Sequence, residues 1–398
     1  MVPAIRKEYN HRFTEEAYQQ FLTDLHHYFP GQLDFRVAET PIFIPKDFTK
    51  KMLDACDQII DVIGQPAYQQ QSAKAIPPQL RVPNEDAHPQ FIAFDFGICR
   101  NEEGVIEPQL IEMQGFPTIF AYQILLADVH HRHFWWPAGY DCYLNGFTKE
   151  TYIDFLRKII IGDSNPEQVI LLEVFPHQQK TRIDFYCTET YLGIKTVDLM
   201  DLIQEGKNLY YQHNGKKIQI ERIYNRLIFD DLFHQPKEVQ EKGRLFQEEL
   251  NVTWVPHPNW FYRLSKFTLP FIQHPYVPET HFLKEINQLP DDLENYVVKP
   301  LFSFAGQGVI IDVTKQDIEK IKDPENWILQ RKVAYAAVIE TPDVPAKAEI
   351  RLFYFWEEGV ARPVATNNLS RLSKGKMVGV RYNKDKEWVG GSFCLFEQ

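Results

Sequence analysis

Apolar residues recur every three or four positions in two early segments, which is the spacing of one face of an α-helix. Residues 14–27 (TEEAYQQFLTDLHH) and 48–63 (FTKKMLDACDQIIDVI) follow this pattern, so we predict helices there. Asp47 or Thr49 can cap the second helix. A third helix is predicted after Pro117, through TIFAYQILLADVHHRH.

Two strand-like runs lie between the second and third predicted helices. FIAFDFGI (91–98) and PQLIEMQG (108–115) flank RNEEGVIE, whose Glu-Gly pair favours a turn, so we predict a β-hairpin. Asp95 interrupts the first run, and Glu112 and Gln114 interrupt the second. Because strand side chains alternate between faces, Glu112 and Gln114 share one face, and Asp95 can lie across from them.

The middle of the chain alternates between strand and helix patterns. QVILLEVFP (168–176) predicts a buried strand, QKTRIDFYCTETYLG a helix that ends at Gly193, and IKTVDLMDL (194–202) a second strand. A polar hairpin that turns at Asn-Gly follows, and then IYNRLIFDDLF as a further strand or strand end. This alternation predicts a small parallel-sheet layer domain.

The last third of the chain is typical of an α+β lobe with mainly antiparallel strands. WILQRKV (327–333), AEIRLFYFW (348–356) and EWVGGSFCLF (387–396) are predicted strands, and LSKFTLPFIQ (264–273) a helix. YVVKPLFSFAGQGVIID (296–312) has apolar and β-branched residues on both sides of its glycines. It predicts a strand, a glycine-rich hairpin and a second strand.

Length, charge and cysteine content indicate the size of the protein, its compartment and the partners that it does not bind. The 398 residues suffice for about two or three domains. With 43 basic against 54 acidic residues the net charge is −11, so nucleic acid is not an expected partner. The start resembles no secretion signal, and no run reaches the roughly 18 apolar residues that span a membrane. The five cysteines are scattered and include no CxxC pair, so we expect a protein of the reducing cytoplasm that contacts no membrane.

Asp95, Glu112 and Gln114 would together offer two carboxylates and an amide oxygen. These are hard oxygen ligands suited to Mg²⁺, which usually keeps several waters and also binds substrate phosphates. The alternative is the solvated face of an antiparallel sheet, where polar residues need no ligand. The pattern alone leaves both interpretations open.

Lys299 precedes the glycine-rich hairpin, in which Ser303, Gly306 and Gly308 could place a hydroxyl and backbone N–H groups over an anion. A Walker loop has Lys-Ser or Lys-Thr directly after its last glycine, and a protein kinase places its glycine loop before its lysine. Both of those nucleotide folds are therefore disfavoured. An ordinary hairpin with a surface lysine is the alternative.

Further charged residues lie on the C-terminal strands. Glu349 and Arg351 share one face of AEIRLFYFW, and Arg371 follows in NNLSRLSKG. The planar donor fork of arginine suits phosphate or carboxylate, while a structural Glu–Arg pair is the alternative. Lys266 and Lys299 are two more candidate cations, although lysines on helix surfaces are usually solvated.

In their order along the chain, these segments resemble the ATP-grasp superfamily, in which two α+β lobes hold ATP between them. LSKFTLPFIQHPYVPET is similar to the family's first lysine and Pro-x-Thr strand, and YVVKPLFSFAGQGVII to its second lysine and phosphate-covering hairpin. WILQRKV is similar to the segment that joins the lobes beside adenine. AEIRLFYFW, NNLSRLSKG and WVGG are similar to the acidic-x-Arg strand and the arginine and glycine segment after it.

The family's aspartate strand and Glu-x-Asn strand, which would normally come next, resemble FDFG and LIEMQGFPT near the front of this chain. This displacement is the pattern of the circularly permuted members, and the chain most resembles the synthetase part of glutathionylspermidine synthase. The resemblance implies an α+β, circularly permuted ATP-grasp fold with an additional α/β parallel-sheet substrate domain. Residues 1–160 would supply the permuted metal-ligand part, 161–250 the substrate domain, and 251–398 the ATP-binding lobes.

The resemblance also implies an ATP- and Mg²⁺-dependent ligase that joins a small-molecule or peptide carboxylate to an amine through an acyl phosphate. The residues that it carries over are Lys266 and Lys299 for phosphate charge; Ser303, Gly306 and Gly308 for phosphate cover; main-chain groups near Gln330 and Val333 for adenine; Asp95, Glu112 and Gln114 for Mg²⁺; and Arg351 and Arg371 for the transferring phosphoryl group. Such chemistry depends on charge and positioning, and it requires no protein nucleophile.

Two departures from the family pattern keep other functions open. Gln114 stands where the family has Asn, and Phe304-Ala305 stand where the synthase has Arg-Glu. A nucleotide-binding protein without turnover is therefore one alternative to the ligase. A kinase that keeps the fold and transfers phosphate to a hydroxyl is the other.

Substrate recognition would fall to the parallel-sheet region and its neighbouring loops. Lys180 and Arg182 in QQKTRID, and Arg226 in IYNR, are candidate anchors for substrate carboxylates. Surface charge is the alternative for each of the three.

Overall fold

The computed structural model describes residues 2–302, 308–375, 378, 383 and 385–398. Helices and several separate sheets give the mixed α+β fold that the patterns predicted. The helices in chain order are α1 (Pro3–Arg12), α2 (Glu15–Tyr28), α3 (Lys46–Ile63), α4 (Pro66–Ser72), α5 (Phe120–His133), α6 (Lys149–Ile161), α7 (Arg182–Leu192), α8 (Phe229–Phe233), α9 (Lys237–Lys242), α10 (Trp260–Arg263) and α11 (Lys315–Glu319). The three helices predicted from periodicity are α2, α3 and α5. Pro45 precedes α3, so the predicted cap at Asp47 or Thr49 was wrong.

The strands of the described residues form several sheets, and they are numbered in chain order. One sheet contains β17 (Gly390–Ser392), β16 (Val364–Ser373), β15 (Lys347–Phe355), β2 (Phe91–Arg100) and β3 (Ile106–Gln114); a second contains β11 (Thr253–Val255), β10 (Arg222–Asn225), β5 (Val169–Glu173) and β6 (Lys195–Asp198); a third contains β12 (Thr280–Phe282), β14 (Trp327–Arg331) and β13 (Tyr296–Pro300); the others contain β1 (Ile42–Ile44), β18 (Cys394–Glu397) and β4 (Tyr140–Asp141), and β7 (Ile203–Glu205), β8 (Asn208–His213) and β9 (Lys216–Ile220). The predicted hairpin of residues 91–115 is β2–β3.

The first of these sheets joins the front and the tail of the chain. Its order is β17-β16-β15-β2-β3, and neighbouring strands are antiparallel. β15 pairs with β2 so that Arg351 lies opposite Asp95, and β2 pairs with β3 so that Asp95 lies opposite Glu112. β16 places Arg371 opposite Glu349. Charged residues that are distant in sequence therefore meet on neighbouring strands.

One face of this sheet is apolar at the C-terminal end of β15 and charged further toward the start of that strand. Phe353 and Phe355 of β15 pack against Phe120 of α5, with ring centroids 4.9 and 5.0 Å apart. Glu349 and Arg351 lie on the same face because side chains of a strand alternate. The opposite face is apolar and packs on α3. The charged cluster therefore begins where the packing of α5 on this face ends.

The second sheet confirms the predicted strand–helix–strand unit in the middle of the chain. β5 and β6 are parallel, and α7 connects them. α7 ends at Gly193, whose φ of 77° is in the left-handed region that glycine adopts without strain. IYNRLIFDDLF begins as β10, but its second half is the short helix α8. The domain boundaries near residues 160 and 250 stay predictions.

Two local predictions in the last third were wrong. The segment LSKFTLPFIQ forms a 3₁₀ turn, Lys266–Phe271, and not an α-helix, because Pro270 has no backbone N–H to donate. After the glycine-rich segment, Ile310 exchanges two backbone hydrogen bonds with Val298, at 2.9 and 3.0 Å. Within residues 308–313 this pairing is a single bridge, so the described part of the segment forms no second strand.

Glu173 ends β5 inside the protein, where it is 7% exposed. Burial raises the pKa of Glu173 from 4.5 to about 8, although the backbone N–H of Val174 donates to its carboxylate and opposes the shift. In the unfolded chain this group loses its proton near pH 4.5. The unfolded state therefore binds fewer protons between pH 4.5 and 8, and stability falls as pH rises through this window.

We expect Glu173→Gln to remove this pH-dependent loss of stability. Each unit of pKa difference is worth about 1.4 kcal/mol, so the variant should gain a few kcal/mol relative to the wild type by pH 8. Urea unfolding at pH 5, 6.5 and 8 measures the difference, with Glu167→Gln as the exposed control. An equal free-energy difference at all three pH values would show that Glu173 is ionised in the folded protein.

No helix within the described ranges is long and apolar enough to cross a membrane.

Candidate functional site

Asp95 lies at the centre of a buried cluster of charges, and its side chain is 2% exposed. Arg351 donates to both carboxylate oxygens, Nε to Oδ1 and Nη2 to Oδ2, each at 2.5 Å. Arg371 Nη2 donates to Oδ2 at 3.0 Å. Burial acts to raise the pKa of Asp95, but the two guanidinium groups outweigh it and hold this pKa below its usual range. Asp95 is therefore an ionised carboxylate neutralised by two arginines.

Glu349 contributes a second buried carboxylate beside the first. Arg371 Nη2 lies 2.8 Å from Glu349 Oε2, and the hydroxyl of Tyr335 donates to Glu349 Oε1. Burial raises the pKa of Glu349, although the charge of Arg371 opposes this. Arg371 is thus shared between the carboxylates of Asp95 and Glu349.

Lys299 reaches the same region from β13 of the third sheet, which also contains β12 and β14. Its Nζ donates to Gln330 Oε1 at 2.6 Å and to the backbone oxygen of Ile111 at 3.2 Å. Gln330 in turn donates from Nε2 to the hydroxyl of Thr280 at 3.0 Å. Burial lowers the pKa of Lys299 to about 8, although the charge of Glu112 opposes the shift. A lysine whose ammonium is desolvated in this way gains strongly from a nearby anion.

Lys266 and Glu112 complete the set of charges. Lys266 Nζ lies 3.8 Å from Glu112 Oε2, and Arg351 Nη2 lies 3.9 Å from Glu112 Oε1. Glu112 and Gln114 line a cavity of about 30 Å³ together with Lys266 and Phe302. Four cationic side chains, those of Arg351, Arg371, Lys266 and Lys299, therefore lie among three carboxylates, and a fourth carboxylate, Asp230, interacts with the charge of Lys266. An anionic ligand in the cavity would lie beside Lys266.

Phe302, which lines this cavity, is the last described residue before the glycine-rich segment. Ser303 and Gly306, which we predicted to cover phosphates, lie outside the described residues. Gly308 has φ of 73°, and a Cβ there would lie 2.8 Å from the ring of Pro300. Gly308 therefore has a left-handed backbone conformation and also lies too close to Pro300 for a side chain, and both features require glycine.

The residues near the predicted adenine position lie on or just beyond β14. Gln330 is 2% exposed, and its side chain is occupied by Lys299 and Thr280. Val333 lies two residues after β14 and is partly exposed. Their contact with adenine stays a prediction.

The three candidate substrate anchors have different surroundings. Lys180 is exposed. Arg182 donates to Gln32 Oε1 and to the backbone oxygen of Gly31, each at 2.9 Å, so it already connects α7 to the N-terminal region. Arg226 is 8% exposed and its Nη1 lies 2.6 Å from Asp184 Oδ2. Internal partners thus engage both arginines, and their role as anchors stays a prediction.

The fit of Mg²⁺ to these residues depends on Asp95. No group of three or more His, Cys, Asp or Glu side chains in the described ranges could hold a metal ion. Glu112 and Gln114 nevertheless offer a carboxylate and an amide oxygen at one cavity, and Mg²⁺ usually takes one or two carboxylates together with phosphates and water. The donor set fits a Mg²⁺ ion shared with a phosphate. Asp95 could join it only by giving up Arg351.

Reasoning from the sequence missed three residues, two that contact this cluster directly and one, Asp184, that is connected to it through Arg226 and Thr118. Tyr335 bonds Glu349, the Thr118 hydroxyl accepts a hydrogen bond from Arg351 Nη1 at 3.3 Å, and Asp184 pairs with Arg226. Thr118 follows closely after the strand that contains Glu112 and Gln114, so its position in the sequence could have indicated a role at this site. No local pattern marks Tyr335 or Asp184, because their partners lie on other elements.

The comparisons with known proteins support a fold but no sequence family. The chain matches no protein-family model, and no curated protein matches its sequence significantly. Among solved structures it is similar to a glutathione synthetase-like effector, GSS30, from Globodera pallida, determined in its apo form. The TM-score is 0.57 at 8% sequence identity, and the match covers 97% of this chain and 98% of that chain. The chain therefore has a glutathione synthetase-like fold.

Proposed function

We propose that the protein is an ATP- and Mg²⁺-dependent ligase that joins a carboxylate to an amine through an acyl phosphate. The observation that carries this proposal is the convergence of Lys266 and Arg351 on Glu112, which lines one cavity together with Lys266. Arg351 also bonds Asp95, and Lys299 lies close enough for the charges of Glu112 and Lys266 to affect its pKa. Under this proposal the fold is a circularly permuted ATP-grasp fold. The position of the acidic strands β2 and β3, from the front of the chain, beside β15 from its tail supports this part of the proposal.

The cationic side chains would hold the triphosphate and steady the phosphoryl group in transfer. Lys299 and Lys266 would neutralise phosphate oxygens, and Arg351 would turn from Asp95 to the group that passes from ATP to the substrate carboxylate. An incoming amine would then attack the acyl phosphate and displace phosphate. Mg²⁺, when bound through Glu112 and Gln114, would neutralise further phosphate charge.

Asp95 supplies an observation in favour of a second candidate function. Its two oxygens are bonded by Arg351 and Arg371, so the Asp95 carboxylate is neutralised within the protein. A protein that binds nucleotide without turnover could keep this arrangement permanently. Under that alternative, Arg351 would never contact a phosphoryl group.

ADP and phosphate release over pooled carboxylates and amines distinguishes these functions. The ligase should release both products only when both pools are present. A kinase would release ADP without free phosphate, and a protein without turnover would bind ATP and release neither. Phosphate release that requires no carboxylate would contradict the ligase.

The low pKa of Lys299 predicts how ATP binding depends on pH. The ammonium is the predominant form below about pH 8 and is lost above it. ATP favours the charged form, so the affinity for ATP should fall as pH rises from 7 to 9.5. Isothermal titration calorimetry measures this fall at constant ionic strength and saturating Mg²⁺. Lys299→Arg keeps its charge throughout the range, so its affinity should change much less, and a flat wild-type profile would contradict the assignment.

A further inference from the structure

Arg351 contacts more than the carboxylates around it. Asp95 occupies its Nε and Nη2, and Nη1 donates to the hydroxyl of Thr118 at 3.3 Å. Thr118 is 8% exposed and lies in the segment between β3 and α5. If Arg351 leaves Asp95 for a phosphoryl group, Thr118 is the neutral contact that can remain.

The position of Thr118 is itself fixed from the parallel-sheet unit. Arg226, the residue after β10, donates from Nη1 to the backbone oxygen of Thr118 at 2.8 Å. The same Nη1 bonds Asp184 Oδ2 at 2.6 Å. The guanidinium of Arg226 also lies 5.1 Å from the ring centroid of Phe185. A buried ion pair therefore holds the backbone oxygen of Thr118 in place.

Asp184 also holds the start of α5, which follows the segment that contains Thr118. It is fully buried, and its Oδ1 accepts the backbone N–H groups of Ala121 and Tyr122, each at 2.9 Å. These N–H groups belong to the first turn of α5, where an anion is favoured. One carboxylate thus orients both Arg226, which bonds the backbone oxygen of Thr118, and the start of α5, which lies two residues after Thr118.

We infer that Thr118 is a positioning residue for Arg351, and that the Asp184–Arg226 pair sets its place. The inference rests on the proposed function, since it concerns the arginine assigned to the transferring phosphoryl group. It assigns Arg226 a role inside the protein, through the backbone of Thr118, beside the predicted role as a substrate anchor. The parallel-sheet unit is thereby joined to the phosphoryl site through four consecutive polar contacts.

Substitutions of Thr118 test this inference in the full-length chain. Thr118→Val keeps the shape of the side chain and removes the hydroxyl, while Thr118→Ser keeps the hydroxyl. Calorimetry with ATP and with ADP, both at saturating Mg²⁺, reports the contact with the γ-phosphoryl group as the ratio of the two affinities. We expect Thr118→Val to lower the affinity for ATP about three- to tenfold, the effect of one ordinary hydrogen bond, since the contact with Arg351 is long at 3.3 Å, and to leave the affinity for ADP unchanged. Thr118→Ser should remain within about twofold of the wild type.

Thr366→Val is the matched control. Thr366 is also buried, in β16 of the sheet that contains Arg351, and its hydroxyl donates to the backbone oxygen of Phe353 at 3.1 Å. Thr366→Val should lower Tm about as much as Thr118→Val does, without changing the ratio of the affinities for ATP and ADP. If Thr118→Val does not fold, Thr118→Ala removes the same hydroxyl with less bulk.

The outcomes separate this inference from the proposed function. A wild-type protein that binds no ATP overturns both. A wild type that binds ATP, with Thr118→Val at the same ratio of affinities, overturns only the positioning role. The same holds if Thr118→Ser loses as much affinity as Thr118→Val, because the hydroxyl would then not matter.

Discussion

Asp95→Asn is expected to strengthen the binding of ATP in the absence of Mg²⁺ by about tenfold or more. Metal-free ATP must draw Arg351 and Arg371 away from Asp95, which leaves a buried carboxylate without its partners. Breaking a buried ion pair from one side costs about 3–5 kcal/mol, and the asparagine removes most of this cost. In the wild type, Mg²⁺ should offset the cost instead, since it can take the place of the guanidinium beside Asp95. The variant should therefore bind ATP well without the metal and gain little from it.

Calorimetry with ATP in EDTA and in excess Mg²⁺ measures both effects. Glu39→Gln is a suitable control, because Glu39 is another buried carboxylate and is paired with Arg36 outside the cluster. It should leave the dependence on Mg²⁺ unchanged. If Asp95→Asn weakens metal-free binding, Asp95 does not compete with the nucleotide for Arg351.

Lys299→Met should weaken ATP binding by at least about thirtyfold. Truncating one partner of a desolvated, hydrogen-bonded charge pair costs about 2 kcal/mol or more, and we expect Lys299 to form such a pair with a phosphate of ATP because burial already lowers its pKa. The folded protein should not lose stability to the same degree. Burial already disfavours the charged lysine, and methionine has a similar length without the charge.

Fluorescence titration with a labelled ATP analogue gives the affinity, and thermal unfolding gives the stability. Lys320→Met is the control in the same part of the chain, because Lys320 forms an exposed pair with Asp317 at 3.8 Å. It should change neither quantity. Wild-type affinity in Lys299→Met would place the triphosphate elsewhere.

Local patterns predicted much of the fold. The helical spacing identified α2, α3 and α5, and the period-two alternation placed Glu112 and Gln114 on one face of β3. These features depend on residues within a few positions of each other. The bridge at Ile310 shows the limit, since β-branched residues favour a strand but cannot supply a partner for one.

The pairing within the charged cluster could not be read from the sequence. Asp95 and Arg351 are 256 positions apart, and the two were assigned different roles, metal binding and phosphoryl contact. Their direct bond follows from the pairing of β15 with β2, which no local pattern reports. Gln330 is similar, because its main chain was expected beside adenine while its side chain holds Lys299. In both cases long-range strand pairing decided the contact.

A crystal structure of the chain with Mg²⁺ and a non-hydrolysable ATP analogue tests the central claim most directly. We expect the triphosphate between Glu112 on β3 and Lys299 on β13, with Arg351 turned from Asp95 toward the terminal phosphate. An analogue bound at another surface, with Arg351 still bonded to Asp95, would contradict the claim that these charges form a nucleotide site.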